Sequence, residues 1–524
     1  METRAREHVV RDLHVEIDEI GDDPLALAAR HLGLAAADIE QARVLRRNLD
    51  ARRSRPRFTL HLALRLRPGI PPPPTARPLH PKALPEPAPA RRRAELAVVG
   101  SGPAGLFAAW RLCRAGLAPV LVERGPGLVE RDRAVAALCG RGQLDPEANF
   151  HFGLGGAGTY SDGKLHTRLR HPAVRAVLDE LQRHGAGSPD EILVDAHAHV
   201  GSDRWPACLR VFRAELESLG CRFELGSRVT GLRLRGGRLA GLELERGGLD
   251  CEAAVLAPGN SARDLFAALA EQGVALAARP FATGVRMTHP QALIDRIQYG
   301  RSAGHPALPA ASYRLAGRFG TRGVYSFCMC PGGTVVPTPT EQGKLALNGV
   351  SDAARDSGEA NSAIVVTVGE RDFEGDDALA GVRFQRRLEQ AAYRAGGGGF
   401  CAPAQRTVDF LAGRTGRDLP ACRYRPGLQA ADLERLLPLE VVSALRAGLA
   451  AFCRRMPGLA DPASVLVGLE TRTSSPVRIL RGPDGASPSA PGLFPAGEGA
   501  GYAGGIVSSA VDGIRAADAL LAWL

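Results

Sequence analysis

Apolar and polar positions change texture four times along the chain. Leu13, Val15 and Ile17 alternate as in a half-buried strand, Pro24 to Leu32 carries helical spacing, and Phe58 to Leu66 alternates again. Residues 1–67 therefore read as a small N-terminal α+β domain. Pro68 to Pro89 follows, with four consecutive prolines at 71–74, so 68–93 is expected to be an extended, stiff linker. From residue 94 the strands become short and wholly apolar, Leu96 to Val99 and Pro119 to Val122, with a helix-like stretch between them. Wholly apolar strands joined through a helix belong to a parallel sheet buried on both faces. Helices expected at 171–184 and 206–219 alternate with strands at 221–225, 228–234, 238–245 and 251–257. Residues 275–460 mix Gly/Pro-rich segments with amphipathic helices at 378–394 and 431–454, and read as an inserted domain. Beyond 461 come a short strand near Leu493 and a helix over 506–524.

The punctuation of the first wholly apolar strand carries the chemistry. Val99 runs into Gly100, Gly102 and Gly105, and the second strand ends in Glu123. This is the βαβ dinucleotide pattern: the first glycine permits the turn, the second lets backbone approach a pyrophosphate, and the third allows close helix–strand packing. The helix start offers unpaired N–H groups to phosphate. Glu123 is expected to accept from ribose hydroxyls and to repel a 2′-phosphate, which favours FAD or NAD over NADP. Two further Gly-x-Gly-x-x-Gly copies occur, at Gly153 and Gly499, but the first follows a poor strand and the second leaves no room for a second strand before Leu524.

Composition removes several alternatives. No apolar run approaches the roughly 18 residues that span a membrane, and the N-terminus lacks an apolar signal core, so a cytoplasmic location and no membrane partner are expected. The net charge of +10 is almost all arginine, with lysine only at Lys82, Lys164 and Lys344. That pattern reads as compositional bias rather than a basic face, and nucleic acid is not the expected partner. Asparagine is equally scarce, at Asn48, Asn149, Asn260, Asn348 and Asn361, which suggests that its few uses answer a chemical need. The ten cysteines include no Cys-x-x-Cys, and no metal site is expected.

The C-terminal block supplies a second signal. Gly497-Glu498 ends a short strand, and Gly504-Gly505-Ile506 opens a helix with bare amides. Such a helix can direct its positive end at a flavin, and the acid can hold ribityl or ribose hydroxyls. Ala257-Pro258-Gly259, at the end of another apolar strand, is a place where a flavoprotein chain returns to its cofactor.

Long motifs occur in order: Asn149 to Leu165, His199 to Asp203, Ala257 to Asp264, Gly284 to Arg286, Ser326 to Gly333, Ala360 to Ala363, Gly468 to Pro476 and the C-terminal glycines. With Leu49 to Arg52 in the leading domain, the chain resembles the FAD-dependent, or NAD(FAD)-utilising, dehydrogenases of the glutathione-reductase-like fold, second subgroup. Leu154, Thr288 and Pro258 depart from that pattern, where acids and a threonine are usual. The resemblance implies an α/β architecture: a Rossmann-like FAD-binding domain in two parts (94–274 and 461–524), an inserted α+β substrate or cap domain (275–460) and the small N-terminal α+β domain. It implies FAD as cofactor, with NAD(P)H a candidate electron donor docking at the same flavin face. Cofactor contacts are expected from Gly100, Gly102, Pro103, Ala104, Gly105, Glu123, Arg124, Gly155, Gly156, Lys164, Val229, Ala257, Gly259, Gly497, Glu498, Gly504, Gly505 and Ile506.

Lys164, Cys328, Cys330 and Arg286 are the expected catalytic residues. Cys328 and Cys330 cannot readily form an unstrained disulfide across one residue, but one could be a thiolate facing the flavin. His166, His289 and Arg472 are further candidates for holding anions or donating protons. The expected activity is hydride transfer between flavin N5 and a small-molecule substrate. The alternatives are a flavoprotein binding RNA through residues 1–67 and a flavin-binding regulator without turnover. Substrate and oligomeric state are not legible.

Overall fold

A computed structural model describes residues 7–52, 55–80 and 83–524; residues 1–6, 53–54 and 81–82, among them Lys82 and pieces of the expected first domain and linker, lie outside the described residues. Strand β1 (His8–Glu16), helix α1 (Pro24–Leu32), and strands β2 (Ile39–Asp50), β3 (Arg57–Leu66) and β4 (Arg77–Pro78) build the N-terminal domain. Its sheet is antiparallel in the order β2-β3-β1-β4. Alternation puts Val10, Val15, Leu60, Leu62 and Leu64 on one face, where Leu27 and Ala28 of α1 cover them. The expected linker is only partly a linker. Arg77–Pro78 pairs at the sheet edge, where a residue without an N–H is tolerated, and Leu84 and Ala90 pack on the next domain.

That domain opens with β5 (Leu96–Val99), α2 (Pro103–Arg114), β6 (Val120–Glu123), α3 (Leu128–Arg141), α4 (Pro172–Arg183), α5 (Trp205–Ser218) and β7 (Arg222–Leu225). Strands β8 (Val229–Arg235), β9 (Arg238–Leu244) and β10 (Gly248–Asp250) form an antiparallel meander, before β11 (Ala253–Leu256) and α6 (Arg263–Glu271). β5 and β11 are buried at every position, as the wholly apolar runs require. Residues 149–163 form no strand, only one turn of 3-10 helix at Gly156–Gly158.

Strand β12 (Leu276–Ala278) leads into the inserted domain: β13 (Phe281–Pro290), α7 (Gln291–Tyr299), β14 (Ala316–Phe319), β15 (Arg322–Cys330), β16 (Gly333–Pro337), β17 (Leu347–Ser351), β18 (Glu359–Val368), α8 (Ala380–Ala395), β19 (Ala402–Arg406), α9 (Thr407–Leu411), β20 (Leu428–Ala430), α10 (Leu439–Arg455) and β21 (Val465–Glu470). Its seven-stranded sheet runs β14-β15-β18-β13-β21-β19-β20. The boundary expected at residue 461 therefore falls too early, because β21 lies inside the inserted sheet, paired with β13 and β19. The chain returns through β22 (Val477–Ile479), which pairs with β12, and then through β23 (Leu493–Pro495) and α11 (Ile506–Trp523). The completed parallel sheet is β23-β11-β5-β6-β7.

Helices α2 and α11 cross on this sheet at close quarters. A methyl group at Gly513 would lie 2.0 Å from the Ala104 carbonyl oxygen, and one at Gly105 would lie 1.8 Å from that of Gly100. The N-terminal domain docks on the loop before α5, where the Ala196 amide donates to the Arg47 carbonyl at 2.8 Å, and on the inserted domain after α7, where His305 meets Asp18 at 3.0 Å.

Candidate functional site

A cavity of about 1100 Å³ runs from the carboxyl ends of β5, β6 and β11 to the underside of β15 in the inserted sheet. Its size is just above the range of about 300–1,000 Å³ usual for small-molecule sites, which suits a dinucleotide together with a substrate. A shallower cavity of about 610 Å³ on the N-terminal sheet, lined by His14, Asn48 and Arg57 among others, is separate from it.

At one end lie Gly100, Gly102, Pro103, Ala104, Glu123, Arg124, Gly156 and Val229. Gly102 precedes α2, no side chain caps that helix, and a Cβ at Gly102 would meet nothing closer than the Gly156 Cα at 3.9 Å. The first-turn amides thus face open space, as an anion site needs. Gly105 and Gly155 do not line the cavity. Gly105 packs against the Gly100 carbonyl, while a Cβ at Gly155 would strike Leu209 and Thr159.

Glu123 departs from expectation. Its Oε2 accepts from the Ser101 amide and hydroxyl at 2.9 and 2.8 Å, and its Oε1 from the amides of Gly125 and Gly153 at 2.9 and 3.0 Å. These four donors use the acceptor sites of the carboxylate, so Glu123 holds two loops together instead of standing free for ribose. Its negative charge still opposes a 2′-phosphate. The Gly153 loop is fixed from behind by buried Arg131, whose guanidinium donates to the carbonyls of Asn149, Leu154 and Gly156 at 2.9, 2.8 and 2.9 Å. Burial pulls that guanidinium down to about 10.

Ala257, Gly259, Gly497, Glu498, Gly504, Gly505 and Ile506 line the middle of the cavity. Helix α11 also starts without a side-chain cap, and Gly259 and Gly504 face open space. Among the described residues, Glu498 accepts at its carboxyl only from Asn260 Nδ2, at 2.8 Å. Burial raises its carboxyl to about 7 against the pull of Asn260. Asn260 Oδ1 accepts from Ser261 Oγ at 2.9 Å, and Ser261 also meets His151 Nδ1 at 3.2 Å and Arg472 Nη1 at 3.1 Å. Burial, then Arg472, lowers the His151 imidazole far below its ordinary value, and its other nitrogen is buried without a partner. Arg472 and Arg263 share the fully buried Glu389.

At the far end the cysteine pair separates. Cys328 lines the cavity, whereas Cys330 is wholly buried behind it, with its Sγ 3.3 Å from the Cys328 carbonyl and 3.8 Å from Lys164 Nζ. Cys328 has φ = 44°, a left-handed conformation rare outside glycine, where the pairing of β15 with β18 slips. A hydrogen bond from Cys330, followed by the fields of Lys164 and Arg286, holds the Cys328 thiol well below its ordinary value despite burial.

Lys164 pairs with Asp162 at 2.9 Å, and Arg355 binds the same carboxylate at 2.6 Å. Burial opposes the Lys164 ammonium, but the fields of Cys330, Cys328 and Asp162 outweigh that cost and raise it. Arg286 is fully buried and does not line the cavity. It donates to Glu470, Asn361, Asn348 and the Cys328 carbonyl at 2.9, 2.5, 2.9 and 3.3 Å. It therefore positions the Cys328 bend and has no free donor face for a substrate. His289 is buried between Ser464 and Tyr313, away from the cavity, and burial lowers it to about 3. His166 lines the cavity mouth.

Sequence reasoning did not single out Arg131, His151 or Ser261, and it marked Asn260 by scarcity without assigning it a role. Asparagine scarcity was the available signal: Asn149 orders the Gly153 loop, Asn260 holds Glu498, and Asn348 and Asn361 hold Arg286. Away from the cavity, Glu180, His184 and Glu215 lie within metal-ligand reach of one another, but Arg183 pairs with both carboxylates.

The chain is 43% identical over 435 residues to a protein of Clostridium beijerinckii that bears the description "Uncharacterized protein", covering 82% of this chain and 81% of that one. Residues 280–473 match the family described as "FAD-dependent protein, C-terminal domain-like", 98–129 the NAD(P)-binding Rossmann-like domain, and 8–65 a domain of unknown function. Among solved structures, glycine oxidase from Bacillus cereus aligns at a TM-score of 0.35 and 11% identity, covering 82% of this chain and 96% of that one. Fructosyl amine:oxygen oxidoreductase from Aspergillus fumigatus aligns at 0.34 and 16%, covering 83% and 88%.

Proposed function

Because the chain belongs to the FAD-dependent oxidoreductase family, we propose that it uses FAD, bound in the glutathione-reductase-like manner, to exchange hydride with a small-molecule substrate held beneath the inserted sheet. The observation that carries this reading is the single cavity joining the Gly100–Gly102 turn, the uncapped start of α11 and the Cys328 bend. Its open glycine cradle, two uncapped helix starts and the unpartnered buried nitrogen of His151 all fit a dinucleotide. Bound FAD supplies a two-electron centre that exchanges hydride with an organic substrate.

The protein's own groups divide the remaining work. Gly102 and the first turn of α2 hold the diphosphate, with Arg124 and Val229 on the adenosine side. Glu123 keeps that turn closed and repels a 2′-phosphate. Glu498, kept in place by Asn260, holds cofactor hydroxyls, and the start of α11 favours negative charge at the reactive end. Lys164 Nζ holds negative charge beside Cys328, whose thiolate Sγ takes or returns a proton. Arg286 and Cys330 position that sulfur.

Anaerobic rapid mixing of the purified protein with NADH, NADPH and a metabolite panel tests the proposal. Bleaching of the flavin band by at least one of them at a catalytic rate is expected. Uniformly slow reduction by every compound would overturn hydride exchange and leave a flavin-binding protein without turnover.

A further inference from the structure

The charges that line the cavity are nearly all matched inside the protein. Of its arginines, Arg124 pairs with Glu147 and Asp264, Arg228 with Glu147 and Glu245, Arg355 with Asp162, and Arg472 with Glu389. Lys164 also uses Asp162, and the cavity-lining Glu470 takes Arg286. Glu498, at the cofactor end, has Asn260. Two arginines break the pattern. Arg168 and Arg314 line the outer end, and among the described residues neither has a carboxylate or any other hydrogen-bond partner. They come from different segments, one following the Lys164 loop and one preceding β14.

The same cavity is lined by two imidazoles that do not add charge. His166 and His197 meet edge to face at 5.5 Å. Burial, then His197 and Lys164, lowers His166 to about 4, and burial lowers His197 as well. On the sheet side, half-buried Tyr325 and Phe327 of β15 present an aromatic wall beside Ala316 and Gly317. The outer end thus has unmatched positive charge, neutral hydrogen-bonding rings and an apolar face.

We propose that this outer compartment is the substrate site, and that it takes an organic anion whose carboxylate or phosphate is held by Arg168 and Arg314 and whose apolar body lies on Tyr325 and Phe327. The inference rests on the cofactor reading above only for what the neighbouring space holds. Amines and neutral alcohols of the same shape are excluded, since an ammonium group would meet positive potential with no carboxylate to receive it, and an alcohol would leave both guanidinium groups unanswered.

Four probes of one shape test the proposal: benzoate, phenyl phosphate, benzylamine and benzyl alcohol, titrated by calorimetry into the purified protein as it comes, at low salt. One or both anions are expected to bind at least tenfold more tightly than the amine and the alcohol, and the better of the two identifies carboxylate or phosphate. In the Arg168→Ala/Arg314→Ala double variant anion affinity falls roughly tenfold, with unchanged flavin content and unfolding temperature. Raising the ionic strength weakens the wild-type affinity in the same direction, because the guanidinium groups are solvent-facing. Amine or alcohol binding equal to that of the anions, failure of both anions to bind, or an unchanged affinity in the double variant would each overturn it. Flavin content is measured independently. A colourless protein that binds anions through these arginines contradicts the cofactor and keeps this site; a yellow protein indifferent to probe charge does the reverse.

Discussion

Substituting Gly102 by alanine separates the fold from the cofactor. Gly102 has φ = −71° and ψ = 179°, a conformation open to any residue, and an added Cβ would meet only the Gly156 Cα, at 3.9 Å. The cofactor-free protein therefore tolerates the methyl group, and the stiffer unfolded chain favours folding by about 0.4–1 kcal/mol. Set against this is any N-cap preference for glycine over alanine, a term of about 1 kcal/mol or less, so the unfolding temperature should move by no more than a few degrees. Binding is different. The same methyl group occupies the space through which a pyrophosphate approaches the α2 amides, and one lost hydrogen bond to a charged group costs about 1.5–3 kcal/mol, roughly a 10- to 150-fold loss in affinity. Gly105→Ala is the contrasting case: its Cβ would lie 1.8 Å from the Gly100 carbonyl oxygen, so the turn itself must break. Differential scanning calorimetry of the cofactor-free proteins, with fluorescence titration of FAD, reads both quantities. A Gly102→Ala protein that binds FAD with wild-type affinity, or that unfolds as early as Gly105→Ala, refutes the reasoning.

Three further outcomes concern the cavity and the residues that support it. Cys328 should be alkylated by iodoacetamide faster than an ordinary thiol at pH 6.5, and Cys330→Ala should raise its titration midpoint, read as thiolate absorbance at 240 nm; an unmoved midpoint contradicts the assigned donor. Glu498 has its folded value raised from 4.5 to about 7, so the cofactor-free protein loses stability, on the order of 3 kcal/mol, as pH rises from 4.5 through 7. Glu498→Gln should flatten that part of the melting profile. Arg286→Met strands the buried carboxylate of Glu470 and should cost about 3–5 kcal/mol, while Arg286→Met/Glu470→Leu recovers much of it; no recovery would mean that the pair is not coupled.

What the sequence made legible was local. β5, α2 and β6 follow from two wholly apolar runs punctuated by Gly100, Gly102 and Gly105, and α11 follows from spacing after a glycine pair. What escaped depends on partners far along the chain. Glu123 sits where the pattern puts it, yet its role changes because the Gly153 loop arrives 30 residues later and supplies a competing donor. β21 belongs to the inserted sheet because its neighbours β13 and β19 lie far upstream, and no local signal marks that allegiance. The left-handed bend at Cys328 hides inside a strand-like run, and nothing in the residue type announces it. Arg168 and Arg314 stand out only by what they lack, which becomes visible once every other charged pair in the cavity is in place.

The central claim is that one FAD fills the inner part of this cavity, held by the α2 and α11 termini. Absorbance spectra and chromatography of the flavin released from the purified protein test it most directly. The account predicts a yellow protein with one FAD per chain, released intact by denaturation, and with no FMN. A colourless protein that takes up no added FAD would contradict it.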